Sequence, residues 1–166
     1  EEEENNESSL FLQQILFGKI PTYEVAPHPL NITGETEGIL VGGNLAVLYS
    51  LTGTKYCKFP KESILFIEDI GERPYQIDRM IWSLKLSGIL PKLRGLIVGC
   101  FSDHEEDQLK YNSVYESIKD IIAPYNITDS FNFPVVHTAN NYPLIHGSQL
   151  KLSVNENNVI LDNNKQ

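Results

Sequence analysis

From Glu37 onward the chain alternates short apolar runs with stretches whose apolar residues recur at helical spacing. That alternation restricts the fold more than any other feature of the sequence. The runs 38–41, 63–67, 95–100 and 133–136 are bounded by glycine, proline or charged residues, so they read as buried strands. Between them Leu45 to Leu51 reads as a helix, and Pro74 opens a second that runs to about Ser87. Ile77, Met80, Ile81, Leu84 and Gly88 share one face of that second helix, and Gly88 ends it. Tyr111 to Ala123 is a third, with Val114, Ile118, Ile121 and Ile122 inward. Strands alternating with helices predict an α/β domain with a mostly parallel central sheet. Two alternating runs, Gln149 to Val154 and Val159 to Leu161, flank Asn155 to Asn158 and predict a closing antiparallel hairpin. Asn163 to Gln166 is a polar tail.

The front of the chain is different. Residues 1–9 are acidic and polar, and Ser8 or Ser9 suits the cap of a short helix, Leu10 to Phe17, ended by Gly18. Residues 19–35 have no clean period, and Pro27-His28-Pro29 favours extended backbone, so this stretch reads as a connector following something upstream.

Charge and composition exclude several classes of function. The formal net charge is −9, and no basic stripe is interleaved with aromatics, which argues against nucleic acid and anionic membrane surfaces as partners. An apolar content of 41% is enough for an ordinary core, with one domain as the default and two small ones also compatible with 166 residues. No apolar run reaches the ~20 residues of a membrane span, and Glu1 to Glu4 are the opposite of a signal-peptide start. Cys57 and Cys100 form neither a CxxC pair nor a Cys/His ligand set, so no metal is expected, and two reduced, largely buried thiols in a cytoplasmic protein are.

Two strand ends offer chemistry. The run 63–67 delivers Glu68 and Asp69 at the carboxyl end of a strand, where parallel sheets place their sites. A carboxylate there either pairs with an imidazole or serves as a helix cap or a partner of Arg73 or Arg79. The run 133–136 delivers His137, either a proton shuttle or a core-edge histidine bonded to backbone. His28, His104 and His146 sit in polar or proline-flanked loops and read as surface or structural residues. A Ser–His–acid device also needs a serine, and no G-x-S-x-G elbow occurs. Ser50 and Ser83 fall on helices, while Ser102, beside Asp103 and His104, belongs to an acidic loop. Gly42-Gly43-Asn44, between strand and helix, has the composition of an anion-cradling turn, but neither G-x-G-x-x-G nor a P-loop accompanies it.

Taken together, several blocks resemble the C-terminal domain of the LD-carboxypeptidases, the serine-peptidase family that includes the microcin C self-immunity peptidases. They are Gly38-Ile-Leu-Val-Gly-Gly-Asn-Leu45, Gly53-Thr54 with Tyr56, Ile64-Leu-Phe-Ile-Glu-Asp-Ile-Gly-Glu72 and Pro74-Tyr-Gln-Ile-Asp-Arg79. Gly95-Leu-Ile-Val-Gly99, Pro134-Val-Val-His137 and Leu144 to Leu152 continue the series in family order.

The resemblance implies a swivelling β/β/α-type domain over residues 36–162, preceded by an acidic segment and interdomain connector at 1–35. It implies that Glu68 and His137 belong to a Ser–His–Glu triad whose serine and oxyanion-hole amide lie on an N-terminal domain absent from this chain. It also implies a cytoplasmic homodimer, without metal or other cofactor, acting on murein peptide. The reaction is hydrolysis of an L,D-peptide bond, releasing terminal D-alanine from murein tetrapeptide during cell-wall recycling. Asn44, on the Gly-Gly turn, is expected to help bind substrate. On this reading the chain alone does not catalyse the reaction. The alternatives are half of an immunity-type peptidase cleaving a peptide–nucleotide antibiotic, or a stand-alone peptide-binding or dimerisation module.

Overall fold

The computed structural model describes residues 6–102, 113–135 and 141–163. Its elements in chain order are α1 (Glu7–Leu16), β1 (Tyr23–Val25), β2 (Gly34–Asn44), α2 (Leu45–Leu51), β3 (Ser63–Ile70), α3 (Pro74–Leu86), β4 (Leu93–Ser102), α4 (Val114–Ile122), β5 (Thr128–Ser130), β6 (Gln149–Val154) and β7 (Val159–Asp162). The strands form one sheet in the order β1-β7-β6-β2-β3-β4-β5. The ladders from β2 through β5 are parallel, whereas the pairs β2–β6, β6–β7 and β7–β1 are antiparallel. The α/β class, the parallel centre and the closing hairpin are as expected.

The sheet buries both faces. On one, Val41, Leu65, Ile67, Leu96 and Val98 pack with the inward residues of α3 and α4. On the other, Leu40, Ile64 and Ile97 pack with Phe133, Tyr142 and the inner residues of β6 and β7, and Phe11 of α1 adds to them. Burial on both faces is why the central strands read as continuous apolar runs.

Four elements depart from the sequence reading. The helix expected at Leu10 to Phe17 begins at Glu7, because Asn6 and not Ser8 or Ser9 is the cap: its side chain accepts from the Ser8 N–H. Tyr23–Val25, inside the stretch read as connector, is β1, pairing with β7 and covering its edge. β2 does not stop at Val41; it runs through Gly42 and Gly43 to Asn44, each paired with β3. Gly42 takes φ 142°, and a β-carbon there would stand 1.9 Å from the Phe66 carbonyl oxygen, so this glycine serves strand contact, and both glycines lie within the strand and not in an anion-cradling turn.

The expected strand at 133–136 is the fourth departure. Phe133 to Val135 form no strand, and Val136 lies outside the described residues. Pro134 has no N–H to give a ladder, and Asn132 just before takes the left-handed φ of 56°. The edge partner of β4 is instead β5, a Thr-Asp-Ser segment with no apolar residue to announce it. Its Asp129 is fully buried, held by the Ile32 N–H at 2.6 Å and the Lys119 ammonium at 2.9 Å. The helix expected from Tyr111 is described from Ser113, whose hydroxyl accepts from the Glu116 N–H while the Glu116 carboxylate accepts from the Ser113 N–H. Tyr111 and Asn112 lie outside the described residues.

Candidate active site

The carboxyl ends of β2, β3 and β4 meet at one place, and two adjacent carboxylates of β3 divide between the faces of the sheet. Asp69 turns toward α2 and is almost fully buried. One of its oxygens accepts from the Asn44 carboxamide at 3.0 Å and the Ile70 N–H at 2.8 Å; the other accepts from the Ala46 N–H at 2.8 Å. Asn44 in turn accepts from the Val47 N–H at 3.1 Å. Together they satisfy two of the orphan donors that open α2, and the carboxylate charge suits the positive end of the helix. Of the two readings open for a carboxylate at this strand end, Asp69 follows the capping one, but for the helix before it and not for α3.

Glu68 is half-buried and stands opposite Asn44 in the β2–β3 register. It follows Ile64 and Phe66, which pack on the face away from the helices. The β3–β4 register shifts between Ile67 and Asp69, so Glu68 sits at an irregularity of the ladder beside Gly99. A β-carbon on Gly99 would stand 2.4 Å from the Val135 carbonyl oxygen and 3.0 Å from the Glu68 β-carbon. The segment 133–135 is tied down there by the Phe133 N–H, which donates to the Val98 carbonyl at 3.0 Å, and by the Tyr142 N–H, which donates to the Pro134 carbonyl at 2.7 Å. The Tyr115 hydroxyl donates to the Gly99 carbonyl at 3.0 Å; burial is the main cause that pushes its pKa up to about 12, with Cys100 adding to it. Gly99 was not singled out from sequence as a site residue. The usable signal was a glycine directly after the buried run 95–98, which marks close backbone approach.

His137 lies outside the described residues, as do Asp103 and His104. His28 accepts from the Leu30 N–H at 3.2 Å and packs edge-on against Tyr115, a structural role in keeping with its reading. Ser50 donates to the Val47 carbonyl within α2. Ser102 closes β4, its carbonyl accepting from the Gly71 N–H at 2.9 Å. Cys57 and Cys100 are both free thiols, and burial raises the pKa of Cys57 against the opposing pull of Lys92.

A cavity of about 240 Å³ opens where β2 passes into α2, lined in part by Gly43, Asn44, Leu51, Tyr56, Lys58 and His146. A larger depression of about 320 Å³ lies at the opposite ends of β3 and β4, among Lys61, Glu62, Lys92 and Arg94. Parallel sheets place their chemistry at the carboxyl ends of the strands, which favours the smaller one. Among the described residues, no three His, Cys, Asp or Glu side chains gather as a metal site, and no helix is long and apolar enough to cross a membrane.

Residues 37–152 match the model of the LD-carboxypeptidase C-terminal domain. A probable murein peptide carboxypeptidase of Bacillus subtilis is 41% identical over 99 residues, which is 57% of this chain and 31% of that protein. The crystal structure of a muramoyltetrapeptide carboxypeptidase from Oxalobacter formigenes superposes with a TM-score of 0.83 at 26% identity, covering 92% of this chain and 53% of that one. The microcin C7 self-immunity protein MccF superposes with a TM-score of 0.71 at 25% identity, covering 80% of this chain and 40% of that one. The chain thus spans about half, or less, of the length of these relatives. With its seven-stranded sheet, its ordered blocks and this match over residues 37–152, the chain belongs to the LD-carboxypeptidase C-terminal domain family.

Proposed function

We propose that this chain is the C-terminal catalytic half of a serine-type LD-carboxypeptidase that releases terminal D-alanine from murein tetrapeptide. Glu68 and His137 are its contribution to a Ser–His–Glu triad, and the serine and oxyanion donors come from an N-terminal domain of the same enzyme. The observation that carries this reading is the convergence at Gly99: Glu68 approaches it from β3 and the Val135 carbonyl from the following segment. In the sequence His137 follows Val135 by two positions, which supports pairing it with the Glu68 carboxylate.

The chemistry follows from those two groups. His137 takes the proton of the serine hydroxyl as it attacks the L,D-peptide carbonyl, then delivers it to the departing D-alanine amine. It next takes a proton from the water that hydrolyses the acyl-serine, and returns it to the serine oxygen. Glu68 holds the imidazole in the tautomer that accepts from serine and stabilises the imidazolium between steps. Asn44 lines the cavity at the end of β2, and its carboxamide has a second N–H beyond the one given to Asp69, which suits a substrate carbonyl.

The test joins this chain to a serine-bearing family N-terminal half in one polypeptide and measures D-alanine release from murein tetrapeptide. Activity that disappears in His137→Ala is the expected result. Full activity of that variant would refute the role of the histidine. A joined enzyme that hydrolyses a peptidyl-nucleotide and leaves the tetrapeptide intact would move the substrate to the microcin side of the family.

A further inference from the structure

The depression at the amino ends of β3 and β4 runs against the charge of the chain. Its volume of about 320 Å³ lies within the range of small-molecule pockets. Lys61, Lys92 and Arg94 line it with a single carboxylate, Glu62, in a chain of net charge −9. Two irregularities of the backbone converge on it. β3 pairs Ser63 with Leu93 and Ile64 with Gly95, so Arg94 is the extra residue of a β-bulge, a device that re-aims a side chain. Glu62 takes φ 64°, in the left-handed region that residues with a β-carbon seldom adopt. Its N–H donates to the Lys92 carbonyl at 3.1 Å, which ties the turn before β3 to the turn before β4. The Ser63 hydroxyl donates to the Pro60 carbonyl at 2.6 Å and fixes the first of these turns. Charges that are merely solvated need neither the bulge nor the left-handed residue, and backbone strain of this kind collects where a ligand is held.

We infer that this depression binds the phosphate group of a small phosphomonoester, held by Arg94, Lys92 and Lys61, and that the phosphate displaces Glu62. The guanidinium presents paired N–H donors that match a phosphate, and the two ammonium groups add point charges. In the free chain the Glu62 carboxylate takes that place as an ion pair with Arg94, and the hydrogen bond from Arg94 holds its carboxyl below the usual carboxylate range. Both side chains are more than half exposed, so the pair opens at little cost. Three cations against one carboxylate leave an excess that a phosphate of charge about −1.5 to −2 balances. The remaining volume suits the organic part of an ester. A long polyanion would run beyond the depression onto a surface of the opposite preference, because the chain as a whole is acidic. Glu68 lies at the other end of β3, so an occupant here does not compete with the proposed catalysis, and the inference does not depend on that activity.

The experiment titrates glycerol phosphate into the isotope-labelled 166-residue chain at constant ionic strength and follows the backbone amides by NMR. Inorganic phosphate, glycerol and sodium chloride are titrated in parallel. Saturable shifts at the amides of Glu62, Lys92 and Arg94 are expected with the ester, and not with glycerol or chloride. Arg94→Gln and Lys92→Gln should each weaken binding about tenfold. Glu62→Gln should instead tighten it severalfold, because the competing carboxylate is gone. All three side chains are exposed, and circular dichroism confirms that the variants fold. The absence of saturable shifts, shifts that chloride reproduces, or an affinity that neither cation substitution lowers would overturn the inference. Weaker binding by Glu62→Gln would overturn its part as the displaced group, and binding of inorganic phosphate without the ester would overturn the ligand class.

Discussion

The β-carbon of Glu68 lies 3.0 Å from the point where a β-carbon on Gly99 would stand, and the Val135 carbonyl oxygen lies 2.4 Å from that same point. A side chain at position 99 would separate β3 from the segment leading to His137. Gly99→Ala should therefore force the backbone at Val135 away, at a cost of about 1–3 kcal/mol by overpacking. Urea unfolding should show the loss in folding free energy. In the joined two-domain enzyme the same substitution should lower kcat more than it raises KM. Unchanged stability would mean that β4 and the 133–135 segment do not need this close approach.

Asp69 and Asn44 act as one capping unit on α2, so their substitutions should not add. Asn44→Ala removes one cap acceptor, worth about 1 kcal/mol. Asp69→Ala leaves the Asn44 amide and two backbone N–H groups without their acceptor, worth about 2–3 kcal/mol. The double variant should lose less than the combined total, because Asn44 is held partly through Asp69. Chemical denaturation of the four proteins completes the cycle, and strict additivity would count against a shared network.

The Asp129–Lys119 pair makes a signed prediction about pH. Burial raises the folded-state pKa of Asp129 above its usual value of 3.8, while Lys119 and the Ile32 N–H pull it back. The folded chain thus holds the proton more tightly than the unfolded one, and this group's contribution to stability falls as pH rises from the ordinary carboxylate range through the raised value. Lys119→Met removes the chief opposing charge. At neutral pH it should cost about 3 kcal/mol, because a buried carboxylate is left without its cation. The deficit should shrink as pH falls into the carboxylate range and Asp129 takes up its proton. Thermal melts of both proteins across that range measure it, and a deficit independent of pH would rule out the carboxylate as its source.

In the joined enzyme, Glu68→Gln should reduce kcat by about 10³–10⁴-fold, since an amide stabilises the imidazolium poorly and can fix the wrong tautomer. Its unfolding curve should stay close to the parent's. A rate within a few-fold of the parent would remove Glu68 from the triad.

The isolated 166-residue chain should release no D-alanine, because a His–Glu pair without a nucleophile and oxyanion donors lacks the dominant electrostatic contribution to catalysis. Robust release by the isolated chain would place the nucleophile within it, with Ser102 the first residue to replace.

The sequence by itself determined the parallel centre of the sheet, α2, α3, α4, the closing hairpin and the carboxylates at the end of β3. Those features rest on local signals: apolar runs, helical spacing, Pro74 at a first turn and the asparagine-rich turn of the hairpin. Only the tertiary structure decided the rest. β5 is a polar Thr-Asp-Ser segment that is a strand because β4 offers it an edge and because Lys119 and Ile32 satisfy its buried aspartate. β1 is three residues that pair with β7, and Phe133 to Val135 read as a strand but form none, because Pro134 has no N–H to give a ladder. Gly42 and Gly43, read as a turn, are strand residues paired with Phe66 and Ile67, and at Gly42 the Phe66 backbone leaves no room for a β-carbon. Adjacent Glu68 and Asp69 look equivalent in sequence. They separate because successive strand residues face opposite sides of the sheet, so one meets the amino end of α2 and the other meets Gly99.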